Sequence, residues 1–166
     1  MNSELDGKIV LVTGGAGGIG SVISESFAEQ GAKVIVHYKH SKEKAELIAK
    51  KIKGVAMYAD LTDSEQTKEL FNNIIDKEGK IDICIANAGK YPKDYAPLWE
   101  IGIERWNNTI STNLSLAYNT SRYFLKHVAE TKKGSLVLIG STAGIYGEAG
   151  HADYACLLYT SDAADD

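Results

Sequence analysis

Short apolar runs alternate with amphipathic stretches along most of this 166-residue chain. Residues 8–12 read Lys-Ile-Val-Leu-Val, the continuous apolar pattern of a strand buried on both faces. Residues 34–36 and 55–59 repeat it. Residues 81–86 do so with Asp82 and Cys84 among isoleucines, and residues 135–139 supply a fifth run. Helical spacing fills the intervals. Val22, Ile23, Phe27 and Ala28 form one apolar face, ended by Gly31. Ser41 is placed to cap a helix carrying Ala45, Leu47, Ile48 and Ile52 that stops at Gly54. Asp63 is placed to cap another, with Leu70, Phe71, Ile74 and Ile75, closed by Gly79. A loop with Pro92 and Pro97 precedes a long helix expected over residues 103–130.

Five strands alternating with helices imply βαβ units, a parallel sheet and helices on both faces. Right-handed crossovers make that a doubly wound α/β sheet, the Rossmann fold. Composition fits: 44% apolar and 24% charged residues suit one ordinary globular domain, and sixteen glycines against two prolines suit tight strand–helix turns. The net charge of −4, with lysines and acids interleaved, argues against nucleic acid as a partner. No apolar run approaches the ~20 residues that span a membrane, and no basic-then-apolar leader is evident. A cytoplasmic protein with no membrane partner is therefore expected. Two cysteines make no disulfide framework, and Cys84 reads as a small core residue.

The candidate chemistry begins where the first strand ends. Thr13-Gly14-Gly15-Ala16-Gly17-Gly18-Ile19-Gly20 holds five glycines in eight residues, between a strand and a helix. Backbone without Cβ lets a ligand approach closely, and the helix N-terminus directs free N–H groups and a positive dipole end at it. A pyrophosphate suits that place. Gly15, Gly17 and Gly20 satisfy G-x-G-x-x-G, and Thr13, Gly14, Gly18 and Gly20 satisfy T-G-x-x-x-G-x-G. With that spacing, the sequence resembles the short-chain dehydrogenase/reductase family from about Leu5 to Ala155.

The resemblance implies strand order 3-2-1-4-5 and a nicotinamide cofactor held by Thr13, Gly14, Gly18, Ile19 and Gly20. It also implies that Asp60 and Leu61, after the third strand, contact adenine, and that the Asn87-Ala88-Gly89 turn steadies the sheet and lines the cofactor. An acid ending the second strand would bind the NAD ribose and repel the NADP phosphate. Here the strand ends His37-Tyr38-Lys39-His40-Ser41-Lys42, without an acid. Tyr38 borders that site, and Lys39 and Ser41 suit a 2′-phosphate, so NADP is favoured and NAD remains open.

Carbonyl reduction needs a proton donor at the developing alkoxide and donors that orient the carbonyl oxygen. The family uses Asn, Ser, Tyr and Lys. Asn113 matches the asparagine that holds a water in a proton relay. Ser141 matches the substrate-orienting serine. Tyr154, thirteen residues later, matches the acid/base. His151, beside the cleft, reads as a surface histidine. The fourth residue fails: Leu158 stands where the family has a lysine that binds the nicotinamide ribose and favours the phenolate by its charge.

After Ala155 the family's long helix and two further strands are expected, but the chain ends at Asp166. Residues 156–166 resemble the translation of a transposon-type sequencing adapter. The expectation is an incomplete Rossmann domain over residues 1–155 followed by a non-native tail, with little activity and bare apolar surface beside the sheet. The parent is then an NAD(P)-dependent dehydrogenase or reductase of a small-molecule carbonyl or alcohol, and a homo-oligomer. The alternative is a non-catalytic nucleotide-binding relative that lost its lysine. The glycine spacing and the Ser141–Tyr154 interval disfavour other Rossmann chemistry, such as methyl transfer or epimerisation. The loop over residues 91–106 has aromatic and apolar lining but no group that identifies a substrate.

Overall fold

The computed structural model describes residues 4–159. Most of the expected foreign tail, residues 160–166, lies outside the described residues. Five parallel strands, β1 (Ile9–Val12), β2 (Lys33–Tyr38), β3 (Val55–Tyr58), β4 (Ile83–Ala86) and β5 (Ser135–Leu138), form one sheet in the order β3-β2-β1-β4-β5. The fold class and strand order are those expected from the sequence. β1 is central, pairing Val10 with Val34 of β2 on one side and with Ile83 of β4 on the other.

Alternation along the strands splits the core in two. Ile9 and Leu11 of β1, Ile35 of β2 and Cys84 of β4 face one side. There they pack against Leu70, Phe71 and Ile74 of α3 (Ser64–Glu78) and Phe124 of α5 (Leu116–Thr131). Val10, Val12, Val34, Val36 and Ile85 face the other side. Against them lie Ile23, Phe27 and Ala28 of α1 (Gly18–Glu29) and Ala45, Ile48 and Ala49 of α2 (Lys42–Ile52). Cys84 is fully buried, which pushes its thiol pKa up.

Asp63 caps α3 as expected, accepting from the Glu65 and Gln66 N–H groups, and Gly79 closes it at φ 79°. Ser41 sits at the N-cap of α2 but its side chain makes no capping bond, and Lys53, at φ 55°, takes the left-handed position that Gly54 was expected to serve. β4 starts later than its apolar run because Asp82 turns its carboxylate onto the Ile9 N–H at 2.8 Å.

The long helix expected over residues 103–130 is not continuous. α4 (Ile103–Ile110) passes into a π-turn, Ser111–Ser115, before α5. The Asn113 side-chain amide donates to the Thr109 carbonyl at 2.9 Å, the acceptor a regular α-helix would offer to the Asn113 backbone N–H. Beyond β5 come two short helices, α6 (Ala143–Tyr146) and α7 (Ala152–Tyr159). Residues 156–159, assigned to the tail from sequence, continue α7, and Leu157 is buried.

Candidate functional site

A cleft of about 730 Å³ opens at the carboxyl end of the parallel sheet beside β1, from which the strand order proceeds outward to β2 and β3 on one side and to β4 and β5 on the other. The turn after β1, the ends of β2 and β4, and Leu61 and Thr62 after β3 all line it. Asn108, Thr112 and Leu116 close it from the side of α4, the π-turn and α5.

The glycine turn is shaped by close approach. Gly14 has φ +61°, and a Cβ there would stand 3.0 Å from the Ala88 Cα. A Cβ on Gly20 would collide with the Gly14 carbonyl and lie 2.7 Å from Asn87 Nδ2. Gly18 differs, because a Cβ on it would meet no protein atom within 4 Å. It opens α1 at the cleft wall, where Gly17 occupies the N-cap and no side chain caps the helix. An uncapped helix end with room beside it fits a phosphate-bearing ligand.

Thr13 is fully buried and lies behind this turn, not on the cleft. Its hydroxyl accepts the Asn87 and Ala88 N–H groups, both at 3.0 Å, and donates to the Ile85 carbonyl at 3.2 Å. Asn87 Nδ2 donates back to the Thr13 carbonyl at 2.9 Å. Thr13, expected among the residues that hold the cofactor, has its hydroxyl and carbonyl engaged in joining β1 to the Asn87-Ala88-Gly89 turn. Gly14, Gly18, Ile19, Gly20, Asn87, Ala88 and Gly89 do line the cleft.

Tyr38, Lys39 and Ser41 also line it. The Lys39 ammonium lies 2.6 Å from Asp60 Oδ2, while Asp60 Oδ1 accepts from the Thr62 N–H and hydroxyl. Burial pushes the Asp60 pKa up, but the Lys39 and Thr62 hydrogen bonds outweigh it and hold the carboxyl below its ordinary value. Asp60 thus braces the wall, and Leu61 provides the surface. Asn119 of α5 donates to the Leu61 carbonyl at 2.9 Å and fixes that surface from behind.

None of Asn113, Ser141 and Tyr154 lines the cleft itself. Asn113 pins Lys90, donating to its carbonyl at 3.0 Å and accepting its N–H at 2.9 Å. Tyr91, the next residue, meets the Tyr154 ring edge-on at 5.2 Å between centroids. Ser141 Oγ accepts the Ala143 N–H at 3.2 Å at the start of α6. α6 packs tightly on α7: a Cβ on Gly144 would stand 2.8 Å from the Leu158 Cβ. The position where the family has lysine is thus a helix–helix contact here.

His151 is buried, not a surface histidine. Tyr91 covers it, with the phenol oxygen 3.0 Å from Nδ1 and the rings 4.6 Å apart. Asp153, fully buried beside Tyr154, was not singled out from sequence. It takes Arg105 Nε at 3.0 Å and Nη2 at 3.1 Å, and the Thr109 hydroxyl at 2.8 Å. Burial raises its pKa, yet the Arg105 and Thr109 bonds prevail and lower it. The one sequence signal was an acid among the apolar residues of a short helix.

The sequence profile of the family described as short chain dehydrogenase matches residues 8–156. The chain belongs to the short chain dehydrogenase family. Among its relatives within that family, the 3-oxoacyl-[acyl-carrier-protein] reductase FabG of Thermotoga maritima is 35% identical over 157 residues, covering 92% of this chain and 63% of the relative. Versicolorin reductase 1 of Aspergillus parasiticus is 35% identical over 159 residues, covering 92% of this chain and 59% of the relative. A crystal structure of NAD+-bound xylitol dehydrogenase superposes with a TM-score of 0.89 at 25% identity, over 97% of this chain and 63% of that one. The chain therefore spans about three-fifths of the length of these proteins. No helix among the described residues is long and apolar enough to cross a membrane.

Proposed function

We propose that the parent protein is an NAD(P)-dependent oxidoreductase that interconverts a small-molecule carbonyl and its alcohol, and that this chain, with Leu158 at the lysine position, turns over little. The cleft carries the reading: an uncapped helix N-terminus and a close-approach glycine turn, clamped to the Asn87-Ala88-Gly89 turn through Thr13. Relatives named as reductases support the direction of reaction. They are named for different substrates, so the reading stays at the carbonyl class.

A bound nicotinamide would supply or accept the hydride. The protein's share is positioning and proton transfer. Ser141 Oγ accepts from Ala143, which leaves its own hydrogen free to donate to a carbonyl oxygen. Tyr154 is the proton donor to the developing alkoxide. Asn113 acts at one remove, by fixing Lys90 and hence the loop that holds Tyr91 against Tyr154. Lys39 and Ser41 favour NADP. The Asp60 charge is already matched by Lys39, whose ammonium retains donors for a phosphate. We further read residues 156–166 as foreign to a parent that has lysine at position 158 and assembles as a homo-oligomer.

Titration with NADPH and NADH tests this. NADPH should bind more tightly, on the order of tenfold. Tighter NADH binding overturns the preference, and binding of neither overturns the reading. Turnover of a ketone panel should be near background and rise in Leu158→Lys. Normal turnover of the unaltered chain refutes the inactivity, and binding without turnover in Leu158→Lys favours the non-catalytic relative. Coding DNA that departs from the adapter over residues 156–166 refutes the foreign tail.

A further inference from the structure

His37 lies inside β2 in the run Lys-Val-Ile-Val-His-Tyr, is buried, and uses both ring nitrogens. Nδ1 accepts the Gly14 N–H at 3.0 Å, so the ring proton resides on Nε2, which donates to the Ala59 carbonyl at 3.0 Å. Its backbone carbonyl accepts the next amide of the turn, Gly15, also at 3.0 Å. One residue thus ties the glycine turn to β2 and to the end of β3. From Ala59 the chain continues through Asp60 to Leu61 on the cleft wall.

We propose that His37 is a positioning residue for the dinucleotide. It draws the Gly14 and Gly15 amides inward, so that the amides at the start of α1 are the ones facing a pyrophosphate, and it sets the distance between that turn and the Leu61 wall. The inference rests on the dinucleotide reading above. Two features separate His37 from an ordinary core residue. The turn it holds carries a left-handed glycine, Gly14, whose carbonyl is also engaged, by the Gly17 N–H at 2.9 Å. An apolar ring would fill the same space but leave the Gly14 amide and the Ala59 carbonyl unpaired. His37 also differs in kind from Lys39, two residues on: Lys39 bears on the choice between cofactors, whereas His37 acts on what they share.

His37→Phe keeps a buried ring and the backbone bond to the Gly15 N–H but removes both ring bonds. NADPH and NADH titrations of this variant should both weaken, on the order of tenfold, with their ratio unchanged. Amide hydrogen exchange at Gly14 in the unliganded variant should rise. Binding within twofold of the unaltered protein overturns the proposal, as does a change confined to one cofactor. If His37→Phe does not fold, NMR of the unaltered protein decides. His37 should remain the Nε2–H tautomer with and without NADPH, and the Gly14 amide should be protected in both states. The opposite tautomer, or a freely exchanging Gly14 amide, overturns it. Failure of the unaltered protein to bind either cofactor counts against the dinucleotide reading. Binding that ignores His37→Phe counts against this one.

Discussion

A histidine buried with both nitrogens engaged resists protonation, and the whole fold then responds to acid. Burial is the main cause holding the His37 pKa at about 4, against an ordinary value of 6.5; the Ala59 carbonyl and the nearby Asp60 charge oppose it less strongly. Below pH 6.5 the unfolded chain takes up a proton that the folded chain refuses until about pH 4. Stability therefore falls as pH drops through that window and levels below it. From pH 7 to pH 5 the expected loss is about 2 kcal/mol, read as a lower urea midpoint, and largely absent in His37→Phe if that variant folds. A midpoint that holds steady across the window would contradict it. Other residues were legible by type alone. Asp63 as a helix cap and Cys84 as core follow from neighbours in sequence. Burial sets His151 apart from the surface histidine its sequence context suggests and engages the Thr13 hydroxyl with protein, and burial arises from distant chain.

At the scale of elements, the interrupted helix and the docking of α7 matter most. The π-turn was invisible to helical spacing because Asn113 creates it by taking a backbone acceptor, Thr109, with its side chain. α7 is held to α4 by buried Asp153, next to Tyr154 in sequence, which bonds to buried Thr109 and to the half-buried Arg105. Asp153→Ala removes the acceptor that Arg105 and Thr109 share, while Arg105 keeps the Asp94 and Gly150 carbonyls and Thr109 keeps the Arg105 carbonyl, and should cost about 2 kcal/mol. Asp153→Asn, which can still meet Thr109, should cost less. Urea unfolding of both variants checks the order, and an unchanged midpoint in Asp153→Ala would show that the cluster contributes nothing to docking. Asp153 and Arg105 are 48 residues apart, and nothing local to either one announces the other.

At the scale of the molecule, β5 ends the sheet among the described strands, and its apolar side chains are exposed: Val137 and Leu138 are both 43% accessible. Tyr118 and Leu125 of α5 are exposed as well. An apolar edge strand invites pairing with other chains. The protein should self-associate as concentration rises, and Val137→Lys should shift that onset upward without lowering Tm. Sedimentation across a concentration series reads it. A chain that stays monomeric throughout would refute the expectation.

By itself, the sequence determined the alternation of strands and helices, and through it the sheet, the glycine turn at its central strand and the membership of the family. These depend on local periodicity and on spacing within short motifs, both carried by neighbouring residues. The tertiary structure alone decided which polar groups face the cleft and which hold it together. Thr13 and Asp60 brace the cleft, His37 both borders it and ties its turn to the sheet, and Gly18, Lys39 and Leu61 line it. The reason is physical. A hydrogen-bonding atom is committed by whatever the fold brings within about 3 Å, and for Thr13, His37 and Lys39 those partners are distant in sequence.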